Sequence, residues 1–165
     1  MKAKKSMAGV ILIGAVILLL AACGTKAAGV GDLPVFPGST ELKAGDSRIT
    51  DTLAKNNQQD TAMRNAMGAG GQTEQRGFSL TADTTWDKVK SYYETELKSR
   101  GWTSGLGGIA GGMVDINAMM NTANKGNDLF QTMIFSKGKQ TLTIILTVSP
   151  TDASHKTLIQ SLSTR

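Results

Sequence analysis

The residue types best suited to nucleophilic, metal-binding or proton-transfer chemistry are scarce in this chain of 165 residues, which holds one cysteine and one histidine. Cys23 closes the run Leu20-Ala21-Ala22-Cys23. As the sole thiol it can form no intrachain disulfide, and no zinc site built on thiolates can be assembled. His155, near Pro150 and Ser154 in an expected loop, reads as a solvated side chain rather than a general base. Glu94 and Glu96 are two apart, so on a helix they point to different sides and cannot work as a paired acid and base. Asp83 and Asp87 suit the start of a helix, where carboxylates meet the positive end of the dipole. Serines and threonines are plentiful but have no evident activating partner, and the Asp residues lack the spacing of a calcium loop. No catalytic residue, metal site or cofactor is therefore expected.

What precedes Cys23 gives that cysteine another meaning. Lys2, Lys4 and Lys5 are followed by an apolar stretch from Met7 to Leu20 and by the small residues Ala21 and Ala22, the three-part pattern of a secretory signal. Leu20-Ala21-Ala22-Cys23 resembles the lipobox of bacterial lipoproteins. That resemblance implies a diacylglycerol on the Cys23 thiol and cleavage between Ala22 and Cys23. The rival reading is an uncleaved membrane helix, but a bilayer core needs roughly 20 apolar residues, and the run from Met7 to Ala22 is shorter. At ~0.8 kcal/mol per buried methylene, two or three acyl chains make release negligible where one holds only marginally. The expected partner is thus the membrane, reached through an N-terminal lipid anchor on the extracytoplasmic side. Gly24 follows the cysteine where the resemblance would place Asp as an inner-membrane retention signal, so the outer membrane is preferred if the cell has two.

Loss of residues 1 to 22 would also change the charge balance. The full chain has 18 Lys and Arg against 13 Asp and Glu. Without the three N-terminal lysines the excess falls to +2, with the charges mixed along the sequence. Nucleic-acid binding, which wants a concentrated basic face, is not expected.

The remaining sequence is enough for one small domain. Residues 23–32 read as lipidated N-terminus and flexible tether, and residues 33–165 as a single domain with flexible inserts near 56–75 and 104–127. Pro34 and Pro37 favour an extended entry that pins Val35 or Phe36 on the core. Phe78 and Leu80 alternate with Ser79 and Thr81 as a short strand. Thr84 then serves as the N-cap of a helix on which Trp86, Val89, Tyr93 and Leu97 form one apolar stripe, and Gly101 stops it. Leu129 to Phe135 and Thr141 to Ser149 read as a hairpin, with Thr157 to Ser163 as a further edge strand. The expected class is α+β, a small antiparallel sheet with one main amphipathic helix packed on one face.

The body also resembles small exported bacterial proteins, through Pro34-Val35-Phe36-Pro37-Gly38-Ser39, Tyr92-Tyr93-Glu94-Thr95-Glu96-Leu97 with Gly101-Trp102, and the late Thr/Ile hairpin. This resemblance implies a compact sheet-plus-helix domain and assigns no catalytic residues. The stretch Gly105 to Asn124 has two readings. It is either a flexible loop packing a few methionines on the sheet, or an adaptable apolar surface in which Met113, Ile116, Met119 and Met120 contact a ligand or the membrane interface. Two functions follow. One is a non-enzymatic binding module that takes an envelope protein at a sheet edge or an apolar ligand beneath the Gly/Met segment. The other is an envelope hydrolase with an Asp- or Glu-based site.

Overall fold

The structure is a computed structural model, and it describes residues 27–43, 45, 46, 51, 52, 55, 58, 59, 62, 71–106, 122, 124–149 and 153–165. Six strands make one antiparallel sheet: β1 (Thr40–Leu42), β2 (Gln72–Leu80), β3 (Thr103–Ser104), β4 (Phe130–Lys137), β5 (Gln140–Val148) and β6 (Lys156–Thr164), in the spatial order β1-β2-β6-β5-β4-β3. The main helix, Trp86–Ser99, lies between β2 and β3 in sequence and covers one face. The fold is α+β, as the residue pattern predicts.

Strand alternation explains which face is covered. Leu142, Ile144 and Leu146 of β5 and Leu158 and Leu162 of β6 are at most 3 % exposed. They meet Phe78 and Leu80 of β2, Met133 and Phe135 of β4, and the helix stripe Val89, Tyr93 and Leu97. The intervening positions face the other way and are dominated by serine and threonine. There the side chains pair across strands: Thr73 with Ser163 at 3.0 Å, and Gln75 donating to Ser161 at 3.1 Å. Such pairs hold register on a face that offers little apolar burial.

Four sequence expectations need correction. The segment Thr157 to Ser163 was expected at an edge, but β6 is central and pairs along its whole length with β2 and β5. Its alternation identifies the inward residues but cannot identify neighbours. Strand β2 begins at Gln72, inside the expected insert, because its N-terminal half is held by pairing with β6 rather than by its own hydrophobicity. The N-cap is Thr85, whose hydroxyl accepts from the Lys88 N–H at 3.4 Å. Thr84 is buried against the Thr81 hydroxyl at 3.0 Å, and its carbonyl accepts from the Lys156 ammonium at 2.6 Å.

The fourth correction concerns the tether, because residues 28 to 32 are fixed to the sheet. Ala28 N–H donates to Gln140 Oε1 at 3.0 Å and Gln140 Nε2 donates to Ala28 carbonyl at 2.7 Å. Val30–Asp32 form a 3₁₀ turn. Val30 N–H donates to Glu74 at 3.0 Å, while Arg76 donates to the Val30 carbonyl. These are backbone contacts to distant side chains, so they leave no periodicity in the local sequence.

Helix termination follows the expected physics. Gly101 has φ of +78°, a left-handed conformation that glycine adopts without the Cβ penalty. Trp102 N–H donates to the Leu97 carbonyl at 2.9 Å, turning the indole into the core, where it is 5 % exposed. At the other end, Thr85→Ala removes one satisfied helix donor. It should lower stability by about 1 kcal/mol, measured by denaturant unfolding, whereas Thr85→Ser should cost a small fraction of that.

A polar cluster interrupts the helix–sheet interface. Gln160 Nε2 donates to the Pro34 carbonyl at 2.7 Å and to the Tyr93 hydroxyl at 2.9 Å, with all of Gln160 and Tyr93 buried. Burial pushes the Tyr93 phenol well above its ordinary value of 10.0. The folded state therefore retains a proton that the unfolded chain releases. Stability from this group is complete below about pH 10 and falls as pH rises above it. Alkaline unfolding followed by circular dichroism should show that fall, and Tyr93→Phe should flatten it; an unchanged alkaline limb in the variant would contradict the assignment.

Candidate functional site

Cys23 and Ala22, expected as the lipidation and cleavage positions, lie outside the described residues, as do Met113, Ile116, Met119 and Met120. The other candidates are separated. His155 is exposed on the turn before β6, its carbonyl accepting from Ser149 N–H at 3.0 Å and its Nδ1 lying 3.5 Å from the Ser154 hydroxyl. Glu94 and Glu96 face Lys90 and Arg100 one helical turn away, at 4.0 and 3.5 Å. Asp83 accepts from the Thr81 hydroxyl, which with Lys88 at 3.7 Å holds its carboxyl below the usual range. Among the described residues no group of three His, Cys, Asp or Glu side chains converges as a metal site would require. Also among them, no helix is long and apolar enough to cross a membrane.

The interface between helix and sheet is filled, since Val89, Tyr93 and Leu97 are wholly buried. A surface concavity lies instead beside the helix start, a groove of about 420 Å³ lined by Trp86, Asp87, Lys90, Thr122, Asn124, Lys125 and Gln131. The helix supplies Trp86, Asp87 and Lys90 from its first two turns, and β4 supplies Gln131. An indole, two ammonium groups, a carboxylate and two amides make a mixed surface, suited to several weak polar contacts around one flat apolar wall. Leu129 and Phe130, 52 % and 49 % exposed, precede Gln131 at the same end of β4.

Asn124 is the residue that sequence reasoning missed. Its Nδ2 donates to the Thr132 carbonyl at 2.7 Å and its Oδ1 accepts from the Thr132 N–H at 2.8 Å. One side-chain amide thus does for β4 what a neighbouring strand would do. Farther along, Gly105 N–H donates to the Ile134 carbonyl at 2.7 Å, and β3 pairs with Phe135 and Ser136. The β4 edge from Thr132 to Ser136 is already satisfied, which leaves it little capacity to accept another strand. The only local sequence signal was the turn-rich composition of Asn124-Lys125-Gly126-Asn127.

The opposite side of the sheet is tied by charge. Arg76 donates to both oxygens of Glu41 at 2.6 and 2.7 Å, and its guanidinium lies 5.0 Å from the centre of the Phe78 ring. The hydrogen bond from Arg76 holds the Glu41 carboxyl below its usual range. Arg76 thereby joins β1, β2 and the Val30 turn, a structural role.

No family model, curated protein or solved structure matches this chain.

Proposed function

We propose that the protein is a lipid-anchored lipoprotein of the bacterial envelope whose domain is a non-enzymatic interaction module. The sequence pattern ending in Leu20-Ala21-Ala22-Cys23 supports the anchor, and given that anchor the support for an interaction module is positional. Ala28, five residues after Cys23, is held by Gln140 at the β4–β5 turn, whereas the Trp86–Gln131 groove lies toward the opposite end of β4. From Gln131 to Lys137 a strand spans about 20 Å. An anchor at Cys23 would therefore restrain the turn end and leave the groove facing away from the bilayer. The groove would receive an envelope protein through Trp86, Lys90, Lys125 and Gln131. Met119 and Met120, close in sequence to the groove residue Thr122, would add apolar contact. Filled helix–sheet packing favours such a surface contact over an apolar ligand held between the layers. A mature chain that begins at Cys23 and carries thiol-linked diacylglycerol, identified by mass spectrometry, is the expected result; an unmodified thiol would overturn the anchoring reading.

A further inference from the structure

We propose that the turn end of the sheet is a second membrane contact, in which Lys137, Lys139 and Arg165 bind the anionic phospholipid headgroups of the bilayer that carries the anchor; this rests on the anchored reading above.

A hollow of about 320 Å³ at this end is lined by Ala27, Lys137, Gly138, Lys139, Gln140, Thr164 and Arg165. Three of these residues have cationic side chains and none has an acidic one. Pairing keeps the cations together: Gln140 faces Thr164 across β5 and β6, and Arg165 N–H donates to the Lys139 carbonyl at 3.2 Å. Lys137 donates to the Arg100 carbonyl at 2.8 Å and so keeps its charge beside the helix end. Nearby carboxylates are engaged elsewhere. Glu74 accepts from Val30 N–H, Asp32 from Gly29 N–H, and Glu96 faces Arg100.

Chain length fixes where this surface can go. Ala27 lines the hollow and Cys23 is four residues away, a separation of no more than ~14 Å even when fully extended. A diacylglyceryl group at Cys23 places that residue at the headgroup layer, so the cations are confined to about one to two Debye lengths of it. The two attachments complement each other. Lipid fixes the chain to the bilayer, and the basic end fixes which way the domain stands on it.

The test uses the full chain as isolated from the envelope, reconstituted into vesicles of phosphatidylcholine alone or with phosphatidylglycerol added to about a third. A fluorophore is placed through Gln72→Cys, an exposed position paired with Thr164 at the basic end, and in a second preparation through Leu129→Cys at the far end. Headgroup-attached quencher should quench the Gln72→Cys probe strongly in the anionic vesicles and weakly in the neutral ones. The Leu129→Cys probe should stay bright in both. Each cation contributes roughly five-fold to the population held at the surface. The triple change Lys137→Gln, Lys139→Gln and Arg165→Gln, or 0.5 M salt, should therefore abolish the difference between the vesicles while the protein stays bound. Equal quenching in the two vesicles, or quenching unchanged by the triple substitution, overturns the proposal. The mass of the same preparation reads the anchor independently: a chain that still starts at Met1 or carries an unmodified Cys23 thiol refutes the anchored reading, whereas a lipidated chain with equal quenching refutes only the basic contact.

Discussion

Replacing Cys23 by Ala should abolish incorporation of labelled fatty acid completely and leave a product larger by residues 1 to 22. Both effects follow from one atom. In the lipoprotein pathway that the lipobox implies, thiol alkylation comes before cleavage, so a chain with no thiol is neither acylated nor cut. The expected change is all-or-none rather than graded, because the alanine side chain offers no sulfur to which the diacylglyceryl group could be joined. Circular dichroism of the purified variant should match the parent, since Cys23 lies outside the strands and helix described and five residues before Ala28, which Gln140 holds to the sheet. Label persisting in Cys23→Ala, or a product of mature size, would remove the basis for lipid anchoring.

The second large effect is expected inside the domain. Gln160→Leu conserves volume but leaves the Pro34 carbonyl and the Tyr93 hydroxyl without their buried donor. An orphaned buried polar group costs about 1–3 kcal/mol. Gln160 Oε1 is itself unpartnered among the described residues, so its removal offsets part of the loss. A net destabilisation of about 2 kcal/mol is expected from urea unfolding. Tyr93→Phe removes the hydroxyl that shares this amide, so the double variant should cost less than the two singles together. Strict additivity, or a Gln160→Leu loss below about 0.5 kcal/mol, would mean that the amide does not tie the Pro34 segment to the helix.

Sequence and structure agree where local signals dominate and diverge where distant backbone is involved. The stripe Val89, Tyr93, Leu97 and the alternation Leu142, Ile144, Leu146 state their burial directly, because side chains at these periods share one face. Gly101 and Trp102 are equally legible as helix stop and return to the core. By contrast, Gln160 occupies an inward position with a polar side chain, and nothing in its neighbours indicates that Pro34 and Tyr93 will meet it. The central place of β6 was hidden for a related reason, since Leu158 and Leu162 would face inward at an edge as well. The N-cap was displaced by one residue because two adjacent threonines compete, and Thr84 is drawn inward by Thr81 and Lys156. For the site, Trp86, Asp87 and Lys90 could be placed on the helix, but their juxtaposition with Gln131 and Asn124 depends on how the helix crosses the sheet.

The central position of β6 bears on the timing of folding. Strand β2 and strand β5 each find a neighbour in β6, the last strand along the sequence. A ribosome or a translocation channel that has released only the first 150 residues has supplied two half-sheets with the middle missing. Pairings spanning this much sequence form slowly. A polypeptide with this wiring resists premature closure during synthesis, and can complete its sheet only once β6 has emerged.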